Sequence, residues 1–470
     1  MQKILLFIAS LFYFNFLFSK NEIKSWQGIH ETPLSRLEQQ FAEPPVEFAN
    51  HVIWGWEGKM DKKTICNDLD SIKKKGFRAV IFEAGYKLPF KYLSEEWFKA
   101  IRTGVVEAKK RDMKVWIIDE GKYPSGFAGG KFSQERPDLR MQALVIGDTI
   151  QIKRGEVMTN HKIAPEIISA VAVSTSGAPN RTVEINNGKI SFNAGLDDWK
   201  ILLVKSDFRT AVTRAVNNPN GGKDATNSLC DYLNPVAVQQ FIDWTHKQYK
   251  KYLGKELGTT VLGFRGDEPD YAHLPWTPSI VQTFKDTKGY DPTPYLASFF
   301  TASPTIQEQR VKADYWDVWS SLFATHFFKL QADWCAANGV AHITHLNKEH
   351  EMPACVKAEG DYFRALSKVQ IPGVDAIWNQ IWPSTLNDFP KLASSVAHVY
   401  GKPRAFSESF AAYHISPTIP QAKFVVDHQI ARGINFFEFM FWLAGSKHRN
   451  WMSDPGMKGL NEYTNRTTYL

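Results

Sequence analysis

Long apolar runs are nearly missing from this chain. The clear one, Ile4 to Phe18, is broken only by Ser10 and Asn15 and is preceded by Lys3. A positive start, a short apolar stretch and the small Ser19 read as a secretory signal peptide over residues 1–19. A spanning helix needs about 20 apolar residues, so the run is short for an anchor. No later stretch approaches that length without charges. The expectation is an exported protein, periplasmic or extracellular, with no membrane attachment once the signal is removed. Cysteine is scarce as well. Cys66, Cys230, Cys335 and Cys355 are too few for a disulfide scaffold and lack zinc-type spacing, so buried free thiols are preferred. No dense Lys/Arg block accompanies the net charge of +7, and nucleic acid is not an expected partner. Short-period repeats and low-complexity tracts are absent. So is a glycine-rich phosphate turn, because Gly55-Trp56-Glu57-Gly58 is not one, and this argues against an open dinucleotide-binding sheet.

What is present is a rhythm. Strand-like runs alternate with helical patterns: His51 to Trp56, Arg78 to Ala84, Lys114 to Asp119, Val261 to Phe264, Ala341 to His345, Gly373 to Ile377, Arg404 to Phe406 and Ile434 to Trp442. Eight such units predict an α/β fold, a (β/α)8 TIM barrel. The rhythm breaks over residues 144–227, where β-type alternation takes over. Val183 to Phe192 flanks Asn187-Gly188, a strong hairpin signal. The expected layout is an N-terminal segment over 20–48, barrel over 49–143, a β-rich insertion after the third strand over 144–227, and barrel again over 228–470. The last helical pattern, Leu460 to Leu470, ends on two apolar residues without a terminating Gly or Pro. It reads as an incomplete final helix.

The C-terminal strand ends of a barrel meet at one mouth, so residues there form a set. The set here holds Glu57, Glu83, Asp119, Glu120, Asp267, Glu268, Glu349, Glu408 and Glu438. Any one of them has a bland reading, as a helix cap or the partner of a Lys or Arg. Together they would repel unless they serve protons, sugar hydroxyls or a cation. Glu268, before Pro269 on the fourth strand, is the candidate general acid. Glu408, between Ser407 and Ser409 on the seventh, is its partner, with Glu349 as fallback base. Trp56, Glu57, Glu83, Asp119, Glu120, Tyr123, Asp267, His345 and Asn347 are candidate sugar contacts. Converging carboxylates favour a hard cation such as Ca²⁺ over zinc, with Glu349 and Glu408 as candidate ligands.

The segments Asp119 to Gly130, Gly266-Asp267-Glu268-Pro269, Gly360 to Arg364, Ser407-Glu408-Ser409-Phe410 and Arg432 to Phe437 resemble the catalytic barrel of glycoside hydrolase family 106. Glutamates on strands four and seven also resemble the large glycosidase clan, which usually has Asn where this chain has Asp267. The family resemblance implies an α-L-rhamnosidase lineage, an inverting mechanism and a calcium ion that helps hold the sugar. The expected function is hydrolysis of an α-L-rhamnoside or related linkage in plant-type oligosaccharides or polysaccharides. A non-catalytic glycan-binding barrel and a retaining glycosidase with Glu408 as nucleophile are the alternatives, and a barrel lyase is weaker still.

Overall fold

The computed structural model describes residues 27–28, 32–121, 123–210, 213–214, 223–224, 227–271, 274–445 and 451–470. The expected signal peptide lies outside them. Eight strands, β1 (His51–Trp56), β2 (Ala79–Ala84), β3 (Lys114–Ile118), β4 (Val261–Gly266), β5 (Ala341–Thr344), β6 (Ile371–Ala376), β7 (Phe406–Ser409) and β8 (Phe436–Leu443), close into a barrel. All pairings between neighbours are parallel, and β1 pairs with both β2 and β8. The fold class is therefore the (β/α)8 barrel. β7 begins where a strand over Arg404 to Phe406 was expected to end, which puts Glu408 inside the strand.

Such strands are buried on both faces and read as nearly continuous apolar runs. One face fills the barrel with Ile53, Ile81, Trp116, Ile118, Leu262, Ile343, Ile371, Phe406 and Phe436. The other, with Val52, Trp54, Trp56, Val80, Phe82 and Phe439, packs under the surrounding helices. Two residues beyond the inward apolar plug, the same parity brings Glu83 and Glu408 to the mouth, while Glu438 stays buried against Arg265. Helix starts on the mouth side are capped by Asp61, Ser94, Thr305 and Thr418, whose side chains accept backbone N–H groups of the first turn. Each cap is worth about 1 kcal/mol and helps fix where the preceding loops end.

Between β3 and β4 the chain builds an antiparallel sheet from Gln142–Ile152, Ile167–Ser174, Arg181–Thr182 and Trp199–Phe208. Pro275–Trp276, which follows β4, adds a fifth strand and ties the sheet to the barrel. Asn187 and Gly188 take φ of +51° and +68°, the backbone a tight hairpin turn needs. The runs around them part company, however. Lys189–Asn193 pairs with Val157–Lys162, whereas Arg181–Thr182 joins the larger sheet.

The last helix, Met457–Tyr469, buries Met457 and Leu460 together with the polar Asn461, Thr464, Asn465 and Thr468. Asn465 Oδ1 accepts the Asn50 amide at 2.7 Å, and Asn461 Nδ2 donates to the Lys75 carbonyl at 3.0 Å. Docking is thus by hydrogen bonds to the strand β1 entrance, while Leu470 stays exposed. All four cysteines are free. Among the described residues no helix is long and apolar enough to cross a membrane.

Candidate active site

At the C-terminal mouth of the barrel lies a cavity of about 540 Å³. Six carboxyl groups from four strands or their following loops line it: Glu83, Asp267, Glu268, Asp270, Asp375 and Glu408. Ile53, Ile118, Ile377, Met440 and Phe441 stand among them, and Tyr86, Tyr123, Asn347 and Trp378 also line the wall. Among the described residues no Lys, Arg or His lines this cavity.

The carboxylates are organised by one buried cation, Arg265 on β4. Its side chain is fully buried, with NH1 2.5 Å from Asp267 Oδ1 and Nε 3.1 Å from Glu438 Oε2. NH2 donates to Glu408 Oε2 and sits 2.9 Å from His345 Nε2. A guanidinium keeps its charge in such a place and offers a planar fork that can serve several acceptors at once. Burial works against the charge of Arg265, but Asp267, Glu408 and Glu438 hold its pKa well above the ordinary value. His345 is the second organiser. Its Nδ1 lies 2.7 Å from the Leu346 carbonyl, and Nε2 lies 3.3 Å from Glu408 and 3.4 Å from Asp267. Burial and Arg265 lower its proton affinity, and hydrogen bonds to Asp267, Glu349 and Glu408 outweigh them, so its pKa rises well above the usual imidazole value.

Glu268 stands outside this network of cations. Burial, followed by the charges of Asp267, Glu408 and Glu349, pushes its carboxyl up to about 8, with His345 opposing. Its neighbour Asp267 moves the other way. Burial would raise it, yet Arg265 and His345 hold it below the usual carboxylate range. Consecutive carboxyls are thereby driven apart, one protonated and one ionised at neutral pH, the pattern that separates an acid from its charged companions. Asn347 Nδ2 lies 3.5 Å from Glu268 Oε2. The backbone of Glu268 has φ of +37°, in the left-handed region that only glycine enters freely. Such strain persists where the surroundings over-determine a residue's position, here β4 before it and Pro269 after it.

The structure brings Glu268, Glu408, Glu83, Asp267, Tyr123 and Asn347 to the mouth. Other expected contacts sit elsewhere. Trp56 is fully buried on the outward face, packed on Trp54, Phe82 and Trp97. Glu57 accepts the Tyr86 amide at 3.0 Å and so positions a wall residue. Asp119 is buried and accepts from Ser125 Oγ at 2.6 Å, and that same oxygen accepts the Asp267 amide at 2.7 Å. Glu120 gathers the amides of Gly121, Ala128 and Gly129 and folds the glycine-rich loop. His345 lies behind Glu408, and Glu349 lies behind His345, 3.7 Å from its Nδ1, with Oε1 accepting the Leu346 amide. Glu349 is therefore not among the residues that line the mouth. Arg265 and Asp375 were missed. The signal for both was a charge inside a run that otherwise reads as buried strand, which demands partners of opposite sign or a bound proton.

With this geometry in hand, comparison with known proteins is informative. The sequence profile of the glycoside hydrolase 106 family, described as alpha-L-rhamnosidase, matches residues 158–467. A putative beta-glucuronidase of Formosa agariphila is 23% identical over 90% of this chain. A rhamnosidase structure from Novosphingobium sp. PP1Y superposes with a TM-score of 0.70 over 93% of the chain at 14% identity, a likeness of fold. The chain spans 39% of the length of the first and 60% of the second. With the profile covering most of the barrel, including the strand ends that carry Glu268 and Glu408, this chain belongs to glycoside hydrolase family 106, the alpha-L-rhamnosidase family.

Proposed function

We propose that the chain is the catalytic barrel of an exported hydrolase that releases α-L-rhamnose, or a closely similar 6-deoxy sugar, from plant-type glycans with inversion. Export is supported by Lys3 and the apolar run Ile4 to Phe18. The observation that carries the reading is the pair Glu268 and Glu408 at one mouth in unlike environments. Glu268 holds its proton to about 8 and donates it to the departing glycosidic oxygen as the C–O bond breaks. Glu408, whose Oε2 is fixed by Arg265, accepts a proton from the water that attacks the anomeric carbon. Glu268 ends ionised, Glu408 ends protonated, and exchange with solvent resets both.

The wall chemistry supports a neutral deoxy sugar. A uronate brought into this mouth would meet six carboxyl groups and, among the described residues, no Lys, Arg or His side chain. The C6 methyl of a deoxy sugar instead finds Ile53, Ile118, Ile377, Met440 and Phe441. The name of the 23% identical relative makes a β-glucuronide the second reading, and this wall weighs against it.

A calcium ion fits the same wall. Asp375 Oδ1 is buried with no hydrogen-bond partner among the described residues. Oxygens of Asp375 and Glu268 and a ring nitrogen of His345 lie within 4.8 Å of one another. Asp375 also stands beside Glu408 in strand register. Asp375 would anchor the ion, which leaves Glu268 and Glu408 free for proton transfer, and the ion supplies, when bound, a fixed positive charge to sugar hydroxyls.

The test is hydrolysis of paired aryl glycosides followed by proton NMR. We expect turnover of the α-L-rhamnoside with the β-anomer formed first, and little turnover of the β-glucuronide. Retention of configuration would remove the inverting assignment, and preference for the glucuronide would remove the sugar.

A further inference from the structure

A groove of about 1140 Å³ adjoins the mouth, roughly twice its volume. Asp270 lines both, and Lys348 in the groove follows Asn347 in the mouth, so the two spaces are neighbours. The helix Ile306–Phe323 forms one wall, and the helix Met352–Glu359 the other. Lys312 and Trp316 come from the first, Lys357 from the second. Lys312, Lys348 and Lys357 are exposed. Lys312 Nζ lies 5.6 Å from the Trp316 ring centroid, which holds the ammonium over the wall. Asp270 is the one carboxylate among the lining residues, and burial raises its pKa while Lys348 opposes the rise. The apolar share of the wall, Phe299, Phe300 and Trp316, suits the C–H faces of sugar rings.

Building on the glycosidase reading above, we infer that this groove binds the leaving part of the substrate, and that this part is an acidic saccharide bearing carboxylate or sulfate groups. The side chains lining the mouth are acidic and those lining the groove are mainly basic, so a chain carrying a neutral terminal sugar on an acidic stem is oriented by charge. Three ammonium groups along one groove favour an anionic chain over a neutral one of equal length, by an amount that falls with salt. An occupant of about this groove's volume exceeds one sugar, since single-ligand pockets run to about 300–1,000 Å³.

The test measures binding without turnover. The Glu268→Gln protein is titrated calorimetrically with a hexagalacturonide, a sulfated galactan hexasaccharide and neutral mannohexaose. We expect at least one acidic hexasaccharide to bind about tenfold more tightly than mannohexaose at low salt, with the advantage shrinking as salt rises. Which of the two binds separates carboxylate from sulfate recognition. In that background Lys312→Glu/Lys357→Glu should lose about tenfold in acidic-chain affinity. The control Lys63→Glu/Lys391→Glu makes the same charge change away from the groove and should lose little. Equal affinity for neutral and acidic chains, or equal loss in both double variants, would overturn the inference. Because the readout is binding, failure of the hydrolysis reading would show separately, as absent turnover by the unaltered protein.

Discussion

Arg265 is the residue on which the site's geometry turns. It is buried and faces Asp267, Glu408 and Glu438, so Arg265→Met leaves three carboxyl groups converging with His345 alone as their cation. Removing one partner from a buried ion pair costs about 3–5 kcal/mol, and we expect a loss of at least that size in urea unfolding. A loss under 1 kcal/mol would mean that the cluster does not depend on this guanidinium. Glu268 sets a pH dependence. Its carboxyl is raised to about 8, and a general acid works only while protonated. On a substrate with a poor leaving group kcat/KM should therefore fall as pH rises through about 8. That alkaline limb should vanish in Glu268→Gln. If the limb survives, another group is the acid. Calcium is tested at this scale too: thorough chelation should lower turnover and melting temperature, and added Ca²⁺ should restore both. Indifference to chelation would dismiss the ion.

At the scale of elements, the eight strands were legible because each is an apolar run between helical patterns, and Glu268 and Glu408 were legible because they close such runs. The face each side chain takes was not legible. β1 is buried along all six residues, so no alternation of polar and apolar marks which side looks into the barrel. Trp56 was placed at the sugar for that reason, one parity away from Ile53, which does face inward. Arg265 and Asp375 were passed over because a charge within an apolar strand conflicts with burial until its partners, far off in sequence, are known. The glycine-rich loop after Glu120 makes a close approach to the Tyr232 ring. Gly126 has φ of +98°, and a Cβ there would fall 2.5 Å from the Tyr232 ring. Gly126→Ala should cost at least about 1–3 kcal/mol in unfolding free energy through backbone strain alone. It should also reduce turnover, since Tyr123 and Ser125 ride on the same loop. Unchanged stability would show that the loop relaxes freely.

The whole molecule carries an unusual number of buried carboxyls that keep their protons. Burial raises Asp119, Asp231 and Glu438 to about 7 and Glu120 to about 8. In the unfolded chain such groups release protons near about pH 4. Between those limits the folded state binds more protons than the unfolded state, so stability declines as pH rises. The contribution is complete below about pH 4 and is lost through about 7 to 8. Asp267, held low, acts in the opposite sense and only in more acid solution. Melting temperature should therefore fall between pH 5 and pH 9, and a rise across that interval would contradict the assignment of these protons. Function tests the account at the same scale. Turnover of aryl α-L-rhamnosides with good and poor leaving groups, compared between the unaltered protein and Glu268→Gln, addresses the central claim directly. The account predicts a loss of about 10²–10⁴-fold on the poor leaving group and a much smaller loss on the good one. An equal loss on both would contradict Glu268 as the proton donor.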